Sequence, residues 1–206
     1  MGLMDWFRVK RRLEVLEDRI WLSEQAKFQG IADAADQACA ADCPAAVIFV
    51  AHFNDCLEAL RKVLNDRQYT CPVVATTAET LQQVLPPRIS SLTESDWVLL
   101  LVAERHPLPV HDKTIIEFAG ALPCRAKVTF HLALEDPLLR CFSGDGTKNL
   151  LRRLGMQAGE SISSSLVTRQ IKGAQQEIAA HAVGDRSADS AAEWIERYCP
   201  AFAPRD

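Results

Sequence analysis

A three-layer α/β domain, with a mostly parallel sheet covered by helices on both faces, is the fold class this sequence predicts. Three observations predict it. Short, continuously apolar runs at 45–51, rich in β-branched residues, and at 97–103 read as strands buried on both faces. Stretches with apolar residues three and four apart alternate with those runs, the pattern of a parallel sheet with crossover helices. At 206 residues with 48% hydrophobic and 24% charged content, the chain can form one well-filled core with appendages.

In chain order, residues 5–40 read as helical, with Trp6, Val9, Leu13, Leu16 and Ile20 forming a heptad-like seam. Gly30 weakens that stretch and Pro44 marks its limit. The first strand is 45–51, and the helix after it, 56–65, buries Leu57, Leu60, Val63 and Leu64. A second strand at 72–75 precedes Thr76 and Thr77, which offer an N-cap for a helix at 78–85 ended by Pro86 and Pro87. A polar connection at 91–96 leads to the strand at 97–103. A helix at 112–120 carries Ile115, Ile116 and Phe118, and a strand follows at 126–134. Short helices are expected at 137–142 and 148–154, the second stopping at Gly155. A longer helix at 166–182 sets Val167, Ile171, Ala174 and Ile178 in register. Residues 184–187 read as a hinge before a final amphipathic helix at 188–199. The expected division is an N-terminal helical extension (1–43), the α/β domain (44–160) and a C-terminal helical segment (161–206).

A net charge of −4 and a pI near 5.8 argue against a general nucleic-acid binder, so no DNA or RNA partner is expected. The longest apolar runs are too short to span a bilayer. Asp5 and the basic Arg8, Lys10, Arg11 and Arg12 interrupt any signal-peptide core, so the expected location is the cytoplasm. Seven cysteines without paired metal-ligand spacing imply reduced thiols, many buried, and no zinc site. His52, His111 and His131 lack metal-binding spacing and are expected to make local hydrogen bonds.

Two segments carry a family resemblance. Glu104-Arg105-His106 and Leu132-Ala133-Leu134-Glu135-Asp136-Pro137-Leu138-Leu139-Arg140-Cys141-Phe142 are similar to E-R-H and L-S-L-E-D-D-L-M-R-x-F. Both motifs belong to the second nucleotide-binding domain of SecA, the bacterial preprotein-translocase motor. Leu154-Gly155-Met156, Gly159-Glu160, Ile162, Val167-Thr168-Arg169, Ile171, Ala174 and Gln175 resemble its L-G-M and G-E-x-I…V-T-K-x-I…A-Q, without a gap from Glu104 to Ile178. The resemblance implies a RecA-like sheet. Asp112 stands where the family has an aspartate. The family's Q-L-R-G-R-S-G-R-Q-G-D would run from Thr114 to Cys124, with its arginines falling on Ile116, Phe118 and Ala121. A guanidinium aimed at a γ-phosphate is worth roughly 10³–10⁵ in rate, about 4–7 kcal/mol of barrier, and apolar side chains cannot supply it. No G-x-x-x-x-G-K-[ST] loop is present either. The resemblance therefore implies a degenerate ATPase domain, with no cofactor, no metal and no catalytic residue, working through protein partners of the translocation machinery or a related motor.

Two surfaces stand out. Glu104, Arg105, His106, Asp112 and Arg125 form the vestigial motif edge, at a strand end where ligands of parallel sheets collect. Trp6, Phe7, Arg8, Lys10, Arg11 and Arg12 put aromatics beside a basic run, suited to packing on another helix or to peripheral membrane contact. Glu135 and Asp136 are read as helix N-terminal charges. Two rival functions remain at this point: a half-site completing an ATPase in trans through Arg105 or Arg125, and a residual helicase-like nucleic-acid binder.

Overall fold

The apolar runs become the middle of the sheet. The computed structural model describes residues 12–81, 83, 92–141, 157, 159–163 and 165–203. Its strands are β1 (Leu13–Val15), β2 (Arg19–Trp21), β3 (Ala46–Ala51), β4 (Val73–Thr77), β5 (Trp97–Val102), β6 (Arg125–Ala133) and β7 (Ser161–Ser163). Its α-helices are α1 (Glu24–Ala41), α2 (Asn54–Leu64), α3 (Pro109–Ala121), α4 (Pro137–Arg140), α5 (Ser165–His181) and α6 (Ala191–Tyr198). The sheet order is β4-β3-β5-β6-β2-β7, with β1 also paired to β6. Every pairing is parallel except β2 with β7.

Strand alternation sends successive side chains to opposite faces. Ile48, Val50, Leu100, Val128 and Phe130 meet Ile115, Phe118, Ile171, Ile178 and Trp194 on the α3–α5–α6 side. Val47, Phe49, Leu99 and Leu101 meet Phe28, Ile31, Leu57 and Leu60 on the α1–α2 side. Each fully buried aliphatic or aromatic side chain is worth about 1.5–3 kcal/mol. These two cores make the expected three-layer, RecA-like arrangement.

The largest departure lies at the N-terminal end. Residues 13–21, expected as part of a helix, form β1 and β2, both parallel to β6. β1 lies along the first half of β6 and β2 along the second, so one long strand is flanked by a broken one. The apolar spacing misleads because the break at Leu16–Asp18 shifts the strand period toward the helical one. The helix instead begins at Ser23, whose hydroxyl accepts the Ala26 N–H. Gly30 on α1 is needed for close approach: a Cβ there would lie 1.9 Å from the Trp21 indole.

Smaller corrections follow the same logic. The described residues of the expected 78–85 helix form turns, with Thr80 N donating to Thr77 Oγ1 at 3.4 Å. β7 was not expected. α3 starts early because Pro109 supplies a first-turn residue that needs no N–H partner. The expected hinge at 184–187 makes contacts with α6: beside it Val183 N donates to Tyr198 O at 2.9 Å, and within it Asp185 accepts from Trp194 Nε1 at 3.3 Å. Cys39 and Cys71, expected reduced, are joined by a disulfide, whereas Cys56, Cys124 and Cys199 are free and buried. Trp6, Phe7, Arg8, Lys10 and Arg11, the expected helix at 148–154 and the Leu154-Gly155-Met156 motif lie outside the described residues. No helix among the described residues is long and apolar enough to cross a membrane.

Candidate functional site

Strand order reverses between β3 and β5: β4 lies beyond β3 on one side, and β6 beyond β5 on the other. The crevice at the carboxyl ends of two such strands is where open α/β sheets bind ligands. His52 follows β3 there, and Glu104, Arg105 and His106 follow β5. All three residues of the Glu-Arg-His motif are buried.

Each is consumed by the fold. Glu104 Oε1 accepts the backbone N–H groups of His52 and Phe53 at 2.9 and 3.0 Å, at the start of α2. Arg105 spends its donors on two carboxylates: Nε and Nη2 grip Asp18 at 3.1 and 2.7 Å, and Nη1 reaches Asp112 at 2.8 Å. The Arg105 guanidinium also lies over the Phe130 ring, 3.9 Å from its centroid. Asp112 further accepts from Gln175 Nε2 and the His106 N–H, and pairs with His52 Nε2 at 2.8 Å. Burial pushes the Asp112 carboxyl up, but His52, Arg105 and Gln175 outweigh it and hold it down at about 2. The motif edge is a buried ion-pair network.

Glu104 is the exception electrostatically. Burial raises its carboxyl from an ordinary 4.5 to about 7, with Asp136 and Asp55 adding to the effect against Lys27 and the Phe53 N–H. A carboxyl that holds its proton more tightly when folded contributes stability that is full below pH 4.5 and lost as pH rises through 7. The Glu104 contribution is roughly 3 kcal/mol across that window. Glu104→Gln, which mimics the protonated form, is therefore expected to flatten the pH dependence of urea-unfolding stability between pH 5 and 8. A mutant profile parallel to the wild type would contradict this.

The chain's own C-terminal segment covers the crevice. Trp194 of α6 meets the His106 ring edge-on at 5.3 Å, and Phe53 stacks on the same ring at 5.1 Å. Asp55 N donates to Asp189 O at 3.1 Å, so this segment also takes up an N–H in the first turn of α2. A cavity of about 380 Å³ remains, bordered by His52, His111 and Asp185. His106, His111 and Asp185 bring ligand-type atoms within 4.8 Å of one another. His106 Nδ1, however, accepts the Leu108 N–H at 2.9 Å, so the neutral ring carries its proton on Nε2. Burial, then His52 and His111, lower the His106 pKa to about 2 and keep the ring neutral. It presents a donor where a metal ligand needs a lone pair.

The second motif follows β6, and its carboxylates reach α1. Asp136 does not cap its own helix; it accepts Lys27 Nζ at 2.6 Å and the Ala133 N–H at 2.8 Å. Glu135 caps a different helix, accepting the Glu24 N–H at the start of α1 at 3.0 Å. Burial alone would depress the Lys27 ammonium, but Asp136 reverses this and raises it.

The remaining sequence-predicted residues scatter. Arg125 opens β6 at the amino edge, away from the crevice, and donates to Ser95 O at 2.9 Å. Arg12 is exposed and paired with Glu94. Of the three positions where the resemblance places arginines, Phe118 is buried, Ile116 packs against the core and Ala121 is exposed. Sequence reasoning missed Asp18, Lys27 and Trp194. Asp18 and Lys27 were absorbed into an expected helix surface, and only their buried partners reveal them.

No protein-family model matches the chain. Its sequence is similar to protein translocase subunit SecA of several bacteria. The Rickettsia typhi protein is 33% identical over 125 residues, 60% of this chain and 13% of that protein. The Legionella pneumophila (strain Corby) protein is 39% identical over 103 residues, 50% and 12% of the two chains. That of a Nitratiruptor species is 40% identical over 85 residues, 41% and 10%. The matches thus span about a tenth of the relatives' length, and the chain has a general relation to the SecA family.

Proposed function

We propose that this chain is a SecA-like module without ATPase activity that works in the bacterial cytosol by docking on another protein. The preprotein-translocation machinery, beginning with SecA itself, is the first partner. One observation carries the reading: the motif edge is kept in outline, but its Arg105 is buried and turned to two carboxylates of the fold. Arg105 is held by Asp18 and Asp112, and apolar residues stand at Ile116, Phe118 and Ala121. The partner assignment is supported by the SecA similarity alone. An arginine that completed a partner's active site would be expected at the carboxyl edge, whereas Arg125 lies at the opposite one.

Purified protein is expected to hydrolyse ATP no faster than buffer and to form a complex with purified SecA in analytical ultracentrifugation. Arg125→Ala is expected to leave the turnover of that mixture unchanged. ATP hydrolysis by the chain alone would defeat the non-catalytic reading, and no complex across a micromolar titration would defeat the choice of partner.

A further inference from the structure

Between α1 and the β6–β2 side of the sheet lies a second cleft, of about 570 Å³, well apart from the carboxyl-edge crevice. That volume is typical of a site for a small organic molecule. Its walls include apolar side chains from Ala34 and Ala38 on α1 to Leu99 and Leu101 on β5.

One end of the cleft is polar and incomplete. Arg19 and His131 are register partners in the parallel β2–β6 pair, so their side chains leave the sheet on the same face. His131 is only 2% exposed. Its Nδ1 accepts the Trp21 indole N–H at 3.3 Å, and the two rings stack with centroids 6.0 Å apart. Burial, with the positive charges of Arg19 and Lys27, lowers the His131 pKa to about 3 and keeps the ring neutral. A neutral imidazole whose Nδ1 accepts must carry its proton on Nε2. That Nε2 is buried and has no hydrogen-bond partner among the described residues. Buried donors are nearly always paired, so an orphan bordering a ligand-sized cleft is suited to an acceptor carried by a ligand.

The charge at this end is positive. Arg19 is exposed and reaches the Ser161 hydroxyl at 3.3 Å. Of the two acidic residues that line the cleft, Asp33 is engaged by Arg67 at 2.7 Å, and Asp42 lies at the other end beside Trp97. We propose that this cleft binds a small organic anion, its oxyanion head held by His131 Nε2–H, Arg19 and the Ser161 hydroxyl. Its apolar body, of aromatic size, lies along Ala34, Ala38 and Leu101. The proposal is independent of the docking reading.

The probes are 8-anilinonaphthalene-1-sulfonate, an aromatic oxyanion, and N-phenyl-1-naphthylamine, its uncharged counterpart, titrated by fluorescence into the folded full chain. Saturable one-to-one binding of the anion is expected. Arg19→Gln and His131→Phe should each weaken it by about tenfold or more, the loss of one charge-assisted or buried hydrogen bond. Both should leave the neutral probe within about twofold, because its apolar contacts are unchanged. Ala38→Trp should abolish binding of both by filling the cleft. Near-UV circular dichroism checks that each variant is native, and Arg19→Gln, a surface change, carries the test if His131→Phe misfolds. The proposal is overturned if the wild type binds no anion, if Arg19→Gln leaves anion affinity unchanged, or if Ala38→Trp binds like the wild type.

Discussion

Arg105→Met is expected to destabilise the protein by about 3–5 kcal/mol, the cost of removing one partner from a buried ion pair. The substitution keeps much of the side-chain volume over Phe130 and removes the charge. Asp18 and Asp112, 1% and 3% exposed, then face each other without a cation. Asp112 retains Gln175, His52 and a backbone N–H, so Asp18 bears most of the penalty. Asp18→Asn in the same background should recover part of the loss by removing the uncompensated charge. Urea unfolding of the two single mutants and the double mutant tests this as a cycle. A cost below about 1 kcal/mol for Arg105→Met, within the range of a surface pair, would show that the network is not a unit of the fold.

Trp194→Ala should have an effect of similar size, about 3–5 kcal/mol, with a local signature besides. The indole is 1% exposed, donates to Asp185 at 3.3 Å and lies against both His106 and Tyr198. Its loss leaves a cavity where α6 meets the end of β5. Hydrogen exchange should therefore accelerate first at Val183 and Asp55, whose N–H groups donate to Tyr198 O and Asp189 O. Uniform acceleration across the sheet would mean that the C-terminal segment does not open by itself. Uncovering the crevice is not expected to confer nucleotide binding, since Arg105 stays engaged with Asp18 and Asp112.

The centre of the sheet was legible in the sequence because it is doubly buried. Residues 45–51 and 97–103 have no polar face, and such short, continuously apolar runs suit strands covered on both sides. The flanking helices were legible from their apolar spacing. Residues 13–21 were not: Leu13, Leu16 and Ile20 fit a helical seam, and only pairing with β6 more than a hundred residues away decides against it. The same distance hid the site. Glu104, Arg105 and His106 were visible as a motif, but whether they face a ligand or the interior depends on Asp18, a residue indistinguishable from its acidic neighbours in sequence. The orphan donor of His131 is a property of three-dimensional placement and leaves no pattern in the chain.

The broken strand beside β6 also sets an order of events during synthesis. The first two strands leave the ribosome with nothing to pair with, since their template follows only after β3, β4 and β5 have been made. Those three can zip together as they emerge, whereas the opening residues must wait, carrying Ile20 and Trp21 exposed in the meantime. Long-range pairing of this kind slows folding and lengthens exposure to aggregation. The nascent chain is thus most vulnerable just before residue 133 appears, when the finished part of the sheet still presents a bare edge.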